Sequence, residues 1–138
     1  MWSRKKLTEL NPIEFYQILK LRIDTFVVEQ ERIYHELDEK DLEAVHDYHA
    51  NEKGEIDAYA RVFEEGVHLV FGRVVTARSV RGQLIREILQ LCAEKWPEKE
   101  IEIEAQEQVA ALYEKYGFKA VGQPFIFESI PHITMIYK

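Results

Sequence analysis

Apolar residues recur along this chain with two different periods, and the switches between them lay out the elements. Phe15, Ile18, Leu19, Ile23, Phe26 and Val27 fall at three- and four-residue spacing, which predicts a long amphipathic helix. Asn11-Pro12-Ile13-Glu14 marks its start: a capping residue, a proline at the first helical position and a carboxylate able to reach back to the cap. Leu84, Ile85, Ile88, Leu89, Leu91, Cys92 and Trp96 repeat the helical period after Gly82, and Pro97 ends it. A third, shorter helix runs through Val109, Leu112, Tyr113 and Tyr116 to a glycine stop at Gly117.

Period-two stretches lie between these helices. Residues 46–50 and 56–63 alternate and are joined by the turn Asn51-Glu52-Lys53-Gly54, which predicts an antiparallel hairpin. Glu64-Glu65-Gly66 then turns into a run from Val67 to Thr76 that is apolar on both faces, the mark of a central strand. Glu100-Ile101-Glu102-Ile103-Glu104-Ala105 alternates strictly, and two more strands are expected around Phe125–Phe127 and Ile133–Tyr137. Residues 2–8 offer a short edge strand. Between Val28 and Val45 lies an acidic connection anchored by Ile33, Tyr34 and Leu37; it reads as a solvated surface loop or as a substrate-facing rim that attracts an amine. The order of helix, antiparallel meander, helix, strand, helix and strands gives an α+β class, and 138 residues suit one domain spanning 1–138.

Bulk composition narrows the function. A formal charge of −7 argues against general nucleic-acid binding, which needs clustered Lys and Arg. No apolar run is long enough to span a bilayer, and Met1-Trp2-Ser3-Arg4-Lys5-Lys6 lacks the apolar core of a signal peptide, so the expected location is the cytoplasm. Cys92 is the sole cysteine and falls in phase with Ile85, Ile88 and Leu89, which reads as a buried structural thiol. The five histidines show no metal-ligand spacing, so no metal is expected; Ser79 and Ser129 lie outside any Gly-x-Ser-x-Gly, and no Gly-x-x-x-x-Gly-Lys-Ser/Thr is present.

The stretch with the clearest chemistry is Phe71-Gly72-Arg73-Val74-Val75-Thr76-Ala77-Arg78-Ser79-Val80-Arg81-Gly82, a buried strand, a basic turn and a helix N-terminus. Orphan amide N–H groups and the helix dipole there favour an anion, and Arg78 and Arg81 can bridge phosphate oxygens. Taken with Ala105-Gln106 and Tyr113-Glu114-Lys115-Tyr116-Gly117-Phe118, this resembles the GNAT superfamily of N-acetyltransferases. Arg22-Ile23-Asp24-Thr25-Phe26-Val27-Val28-Glu29-Gln30, Ala58-Tyr59-Ala60-Arg61-Val62, Gly72-Arg73-Val74-Val75 and Ile130-Pro131-His132-Ile133-Thr134-Met135 look like the ElaA-type branch, with matches from about Pro12 to the C-terminus.

The resemblance implies a GNAT acyl-CoA N-acyltransferase fold, a mixed and mostly antiparallel sheet whose fourth and fifth strands splay to receive acetyl-CoA as acetyl donor. The pantetheine arm would pair with main-chain groups near Val74, Val75 and Thr76, and the diphosphate would lie over Arg78, Arg81, Gly82 and Gln83. The reaction implied is direct acetyl transfer, in a ternary complex, to a primary amine of a small molecule or peptide. Tyr113 stands where the family's tyrosine protonates the departing thiolate. Tyr116 is about 300° away from it in helical phase. Glu29 is the first candidate for the base. His46 and His132 are alternatives on the acceptor side, and an ordered water relay is another.

The chain departs from the family in one place. Arg81-Gly82 is followed by Gln83-Leu84-Ile85-Arg86 with no further glycine, so either the phosphate turn is shortened or a mobile segment is missing between Gly82 and Gln83. The short turn favours the alternative function, a non-catalytic acyl-CoA sensor or protein-interaction module. A homodimer is left open.

Overall fold

The computed structural model describes residues 1–77, 80–127 and 129–138. Seven strands form a sheet of order β1-β2-β3-β4-β5-β7-β6: β1 (Trp2–Lys6), β2 (Val45–Ala50), β3 (Ile56–Glu65), β4 (His68–Thr76), β5 (Glu100–Gln106), β6 (Lys119–Phe127) and β7 (Ile130–Tyr137). Every neighbouring pair is antiparallel except β4 with β5, which is parallel. The expected mixed, mostly antiparallel sheet is therefore the one observed, with β4 at its centre.

Helix α1 (Pro12–Ile23) covers one face of β2 and β3. Its start closes as the sequence predicts: the Asn11 side chain accepts from the Glu14 amide at 2.8 Å, and the Glu14 carboxylate accepts from the Asn11 amide at 2.9 Å. The helix then widens into a π-helical turn over Asp24–Glu29, with the Arg32 amide donating to the Val27 carbonyl five residues back. A four-residue helix, α2 (Lys40–Glu43), breaks the acidic connection beyond it.

Helices α3 (Arg81–Lys95) and α4 (Ala110–Lys115) cover the opposite face. Leu84, Ile85, Ile88, Leu91 and Cys92 of α3 pack with Ala58, Ala60, Val62, Leu69, Phe71, Ile101 and Ile103 of the sheet. At about 2 kcal/mol for each buried side chain, α3 alone contributes on the order of 10 kcal/mol of apolar burial, before the entropy of ordering is set against it. Cys92 sits within this layer, and burial pushes its thiol up to about 12, as suits a packing residue. No helix among the described residues is long and apolar enough to cross a membrane.

Strand β4 is irregular in two places. First, its ladder with β5 consists of two pairs, His68 with Glu100 and Leu69 with Ile101, after which the strands diverge. Second, Arg73 has φ +53°, and the register with β3 slips there: Arg61 pairs with Gly72 but Tyr59 with Val75. The extra residue is a β-bulge, and it exchanges the faces. Leu69 and Phe71 point into the core under α3, and beyond the bulge it is Val74 that does so, while Val75 lies opposite Tyr59 on the α1 side.

Candidate active site

Where β4 and β5 diverge, the sheet opens into a cleft of about 1490 Å³. One wall is β4 and the start of α3. The other is the end of β5 with α4 and β7, and the π-helical turn of α1 forms the rim. Of the residues predicted to form the site, Glu29, Val74, Val75, Thr76, Arg81, Tyr113 and His132 line this cleft. Arg78 lies outside the described residues.

The donor end of the cleft is built from β4 and α3. From Val70 to Thr76 the edge of β4 that turns toward β5 has no ladder partner, so its main-chain donors and acceptors are open to a ligand. α3 begins at Arg81, preceded by Val80 with φ −113° and ψ 8° and no side-chain cap. Arg81, Gly82 and Gln83 are thus its first three residues, whose N–H groups have no acceptor within the helix. Gly82 and Gln83 follow Arg81 as consecutive residues of the helix. A Cβ at position 82 would stand 2.6 Å from the Tyr116 hydroxyl, and the Tyr116 ring also packs under the Arg86 guanidinium at 5.9 Å. Tyr116 therefore leans on the first turn of α3, since its phase of about 300° from Tyr113 is about 60° in the other direction and keeps the two rings on one side of the helix.

Tyr113 reaches the cleft from α4. Its ring meets Phe71 at 5.9 Å in a tilted contact and Phe118 at 5.6 Å edge-on and is 8% exposed, while its hydroxyl makes no hydrogen bond among the described residues. Burial pushes this phenol up to about 12, with Arg81 pulling weakly the other way, so it carries its proton throughout the neutral range.

The α1 side of the cleft rests on a buried ionic network that sequence reasoning did not find. Arg22 is 0% exposed on the apolar face of α1; its guanidinium grips Glu36 at 2.5 and 2.7 Å and Asp41 at 2.7 Å. Arg61 holds Asp38 at 2.6 and 3.0 Å, and Arg73, on the bulge, donates to the Glu36 carbonyl at 3.0 Å. Burial alone would raise the pKa of Asp41, but hydrogen bonds and charge from Arg22 and then Arg61 hold it below the ordinary carboxylate range; the hydrogen bond from Arg61 does the same for Asp38. The signal that could have found this network was Arg22 itself, a cation placed four residues after Ile18 and four before Phe26 on a core-facing stripe.

Two expectations change accordingly. The acidic connection is neither a solvated loop nor an anionic rim as a whole, since Glu36, Asp38 and Asp41 are neutralised by arginines; of the carboxylates in that connection, Glu29 is exposed and lines the cleft with no ion pair shown among the described residues. His46 is not on the acceptor wall. It is buried under the network, with Nε2–H donating to the Asp41 carbonyl at 3.0 Å and Nδ1 accepting from the Tyr59 hydroxyl at 2.6 Å. Burial lowers its pKa, which keeps the ring neutral. His132 does line the cleft, from the start of β7, where it pairs with Gln106 of β5.

The splayed parallel pair, the bulged central strand and the uncapped helix beside it define an acyl-CoA N-acyltransferase fold. A crystal structure of an acyl-CoA N-acyltransferase from Pseudomonas aeruginosa superimposes with a TM-score of 0.92 and 34% identity over 100% of this chain and 99% of that one. The chain belongs to the acetyltransferase (GNAT) domain family, whose model matches residues 16–138, and is accordingly an acyltransferase. It is 33% identical to the protein ElaA of Escherichia coli (strain K12) over 97% of this chain and 94% of that protein, and the ElaA crystal structure matches with a TM-score of 0.91. A UPF0039 protein of Mycobacterium tuberculosis is 38% identical over 99% of this chain and 89% of its own length.

Proposed function

We propose that the protein transfers an acetyl group from acetyl-CoA to a primary amine of a small molecule or peptide, by direct attack within a ternary complex. The observation that carries this reading is the two-rung ladder between β4 and β5, which leaves the β4 main chain open beside an uncapped helix N-terminus. Open main-chain groups at Val74, Val75 and Thr76 suit the amide-bearing pantetheine arm, as an added strand would pair. Arg81 and the first-turn amides through Gln83 suit the diphosphate. Acetyl-CoA, when bound, supplies an activated thioester.

Tyr113 supplies the hydrogen bond that a departing thiolate needs. Full proton transfer from a phenol at about 12 to a thiolate of ordinary pKa ~8.5 is uphill by about 5 kcal/mol. The hydroxyl therefore acts as a relay, giving its proton to sulfur as it takes one from the acylated nitrogen. Glu29 on the rim and Glu104 on the β5 wall are among the carboxylates lining the cleft that can attract an ammonium group.

Calorimetric titration with acetyl-CoA tests the donor site, and no binding at millimolar ligand refutes the reading. Thiol release across an amine panel then tests catalysis. Tyr113→Phe should lower kcat by about 100-fold while moving Tm by less than about 2 °C, because the hydroxyl lost has no hydrogen bond to forfeit. Undiminished turnover would remove Tyr113 from its role.

A further inference from the structure

We infer that His132 is the general base, taking the proton from the acceptor ammonium on its Nε2 atom, an assignment that rests on the acetyl-transfer reading above. His132 Nδ1 lies 2.8 Å from the Ile130 carbonyl oxygen. A carbonyl oxygen can only accept, so Nδ1 carries the hydrogen, and in the neutral ring the lone pair is left on Nε2. That nitrogen makes no hydrogen bond to any described residue, although the side chain lines the cleft. The ring is also held in place: it stacks on Phe125 at 5.9 Å and 23° and meets Phe127 at 5.7 Å. A base locked in tautomer and orientation, with a free acceptor nitrogen facing a substrate cleft, has the geometry that general-base catalysis requires.

The position of His132 in the sheet supports the same role. It pairs with Gln106, and residues directly opposite in an antiparallel pair share a face. Ala105, the next residue on β5, belongs to the core under α3, as does Tyr113. His132 and Tyr113 therefore work from opposite faces of the sheet, with the split between β4 and β5 between them. Protons are removed from the acceptor on one side and delivered to the leaving group on the other.

The other candidate bases lack these properties. Glu29 stands exposed on the rim, His46 has both nitrogens engaged, and His35 lines the cleft from an exposed connection with no partner among the described residues to set its tautomer. His132 pairs with Gln106 of β5 and with Phe125 of β6, and Glu104 of β5 stands two residues before Gln106.

In the transfer step Nε2 takes one proton from the ammonium, and the freed lone pair forms the C–N bond to the thioester carbonyl carbon. The C–S bond breaks, and the second proton shed by nitrogen reaches sulfur through the Tyr113 hydroxyl. The products are the amide and the free thiol, and the imidazolium returns its proton to solvent.

His132→Asn tests the assignment, because an asparagine amide can still donate to the Ile130 carbonyl but offers no base. Long-range ¹H–¹⁵N NMR of the ligand-free protein, with His132 assigned by its loss in the variant, should show the Nδ1–H tautomer; the Nε2–H tautomer overturns the proposal. In amine acetylation the variant should lose about 100-fold in kcat/KM for the amine, while its Kd for acetyl-CoA stays within twofold. Equal acetylation by wild type and variant overturns the base assignment alone. A wild type that neither binds acetyl-CoA nor acetylates any amine overturns both readings.

Discussion

Asp47 lies on β2 beneath α3, 0% exposed, and its carboxylate oxygens have no hydrogen-bond donor among the described residues. Burial, and then the charge of Glu87, push this carboxyl up to about 8, against a weaker opposing pull from Arg4. Two ionised carboxylates repel, whereas a protonated Asp47 can donate to Glu87, which Arg4 holds at 2.5 Å from β1. Folding therefore takes up a proton. The native state keeps it to about pH 8, but the unfolded chain releases it near 3.8. The unfolded state binds fewer protons across that window, so this group's contribution to stability falls as pH rises from about 4 to about 8 and is flat above. At about 1.4 kcal/mol per pH unit the loss amounts to at most roughly 6 kcal/mol. Asp47→Asn keeps the shape, supplies a permanent donor to Glu87 and cannot ionise. Urea unfolding at pH 5, 7 and 9, followed through Trp2 and Trp96 where they pack on the core, should find the variant close to wild type at pH 5 and more stable by several kcal/mol at pH 9. A difference that does not change with pH, or that moves in the other direction, would refute the reasoning.

Truncating Arg22 to alanine leaves Glu36 and Asp41 buried without their main partner and should cost about 3–5 kcal/mol; Arg22→Lys keeps the charge but not the fork, and should still cost about 2 kcal/mol in the same urea assay. A loss under 1 kcal/mol from either would show that the network contributes little. Gly82→Ala gains helix propensity of up to about 1 kcal/mol but collides with the Tyr116 hydroxyl. Alone it should be near neutral, and in a Tyr116→Phe background it should stabilise by about 0.5–1 kcal/mol; equal effects in both backgrounds would mean the two groups do not touch. Asp41 and Asp38 are held below the ordinary carboxylate range, so their contribution is complete above about pH 4 and fades as pH falls below it. Combined with Asp47, this places the wild-type stability maximum at about pH 4, which unfolding measured across pH 3–9 would check.

Elements whose residues report on their own surroundings were legible in advance. The cap at Asn11, the period of α3 and the alternation of β5 all appear where local chemistry put them. The first half of β6 did not read as a strand, because its side chains are exposed on both faces and Gly122, at φ +75°, breaks its register with β7. The π-helical turn at Asp24–Glu29 was equally hidden, since an apolar pattern that fits 3.6 residues per turn does not announce a wider turn. For the site, the resemblance to the acetyltransferase family points to Val74, Val75, Thr76 and Tyr113, the basic turn points to Arg81, and Glu29 and His132 are candidates on the acceptor side; all of them line the cleft. The Arg22–Glu36–Asp41 cluster could not be named in advance, because its members come from separate segments and meet only when the connection folds back over α1.

The two-rung ladder has a mechanical consequence. Strands β1 to β4 and strands β5 to β7 are two half-sheets, riveted at His68–Glu100 and Leu69–Ile101 and otherwise held together by the helices across their backs. Alternate amides of Val70–Thr76 face a partner on β3, and the intervening ones face none. In deuterated water this one strand should exchange at two rates along its length, and a ligand lying against the open edge should slow only the faster set. Exchange at that edge is thus an occupancy gauge for the donor site that needs neither turnover nor a known amine.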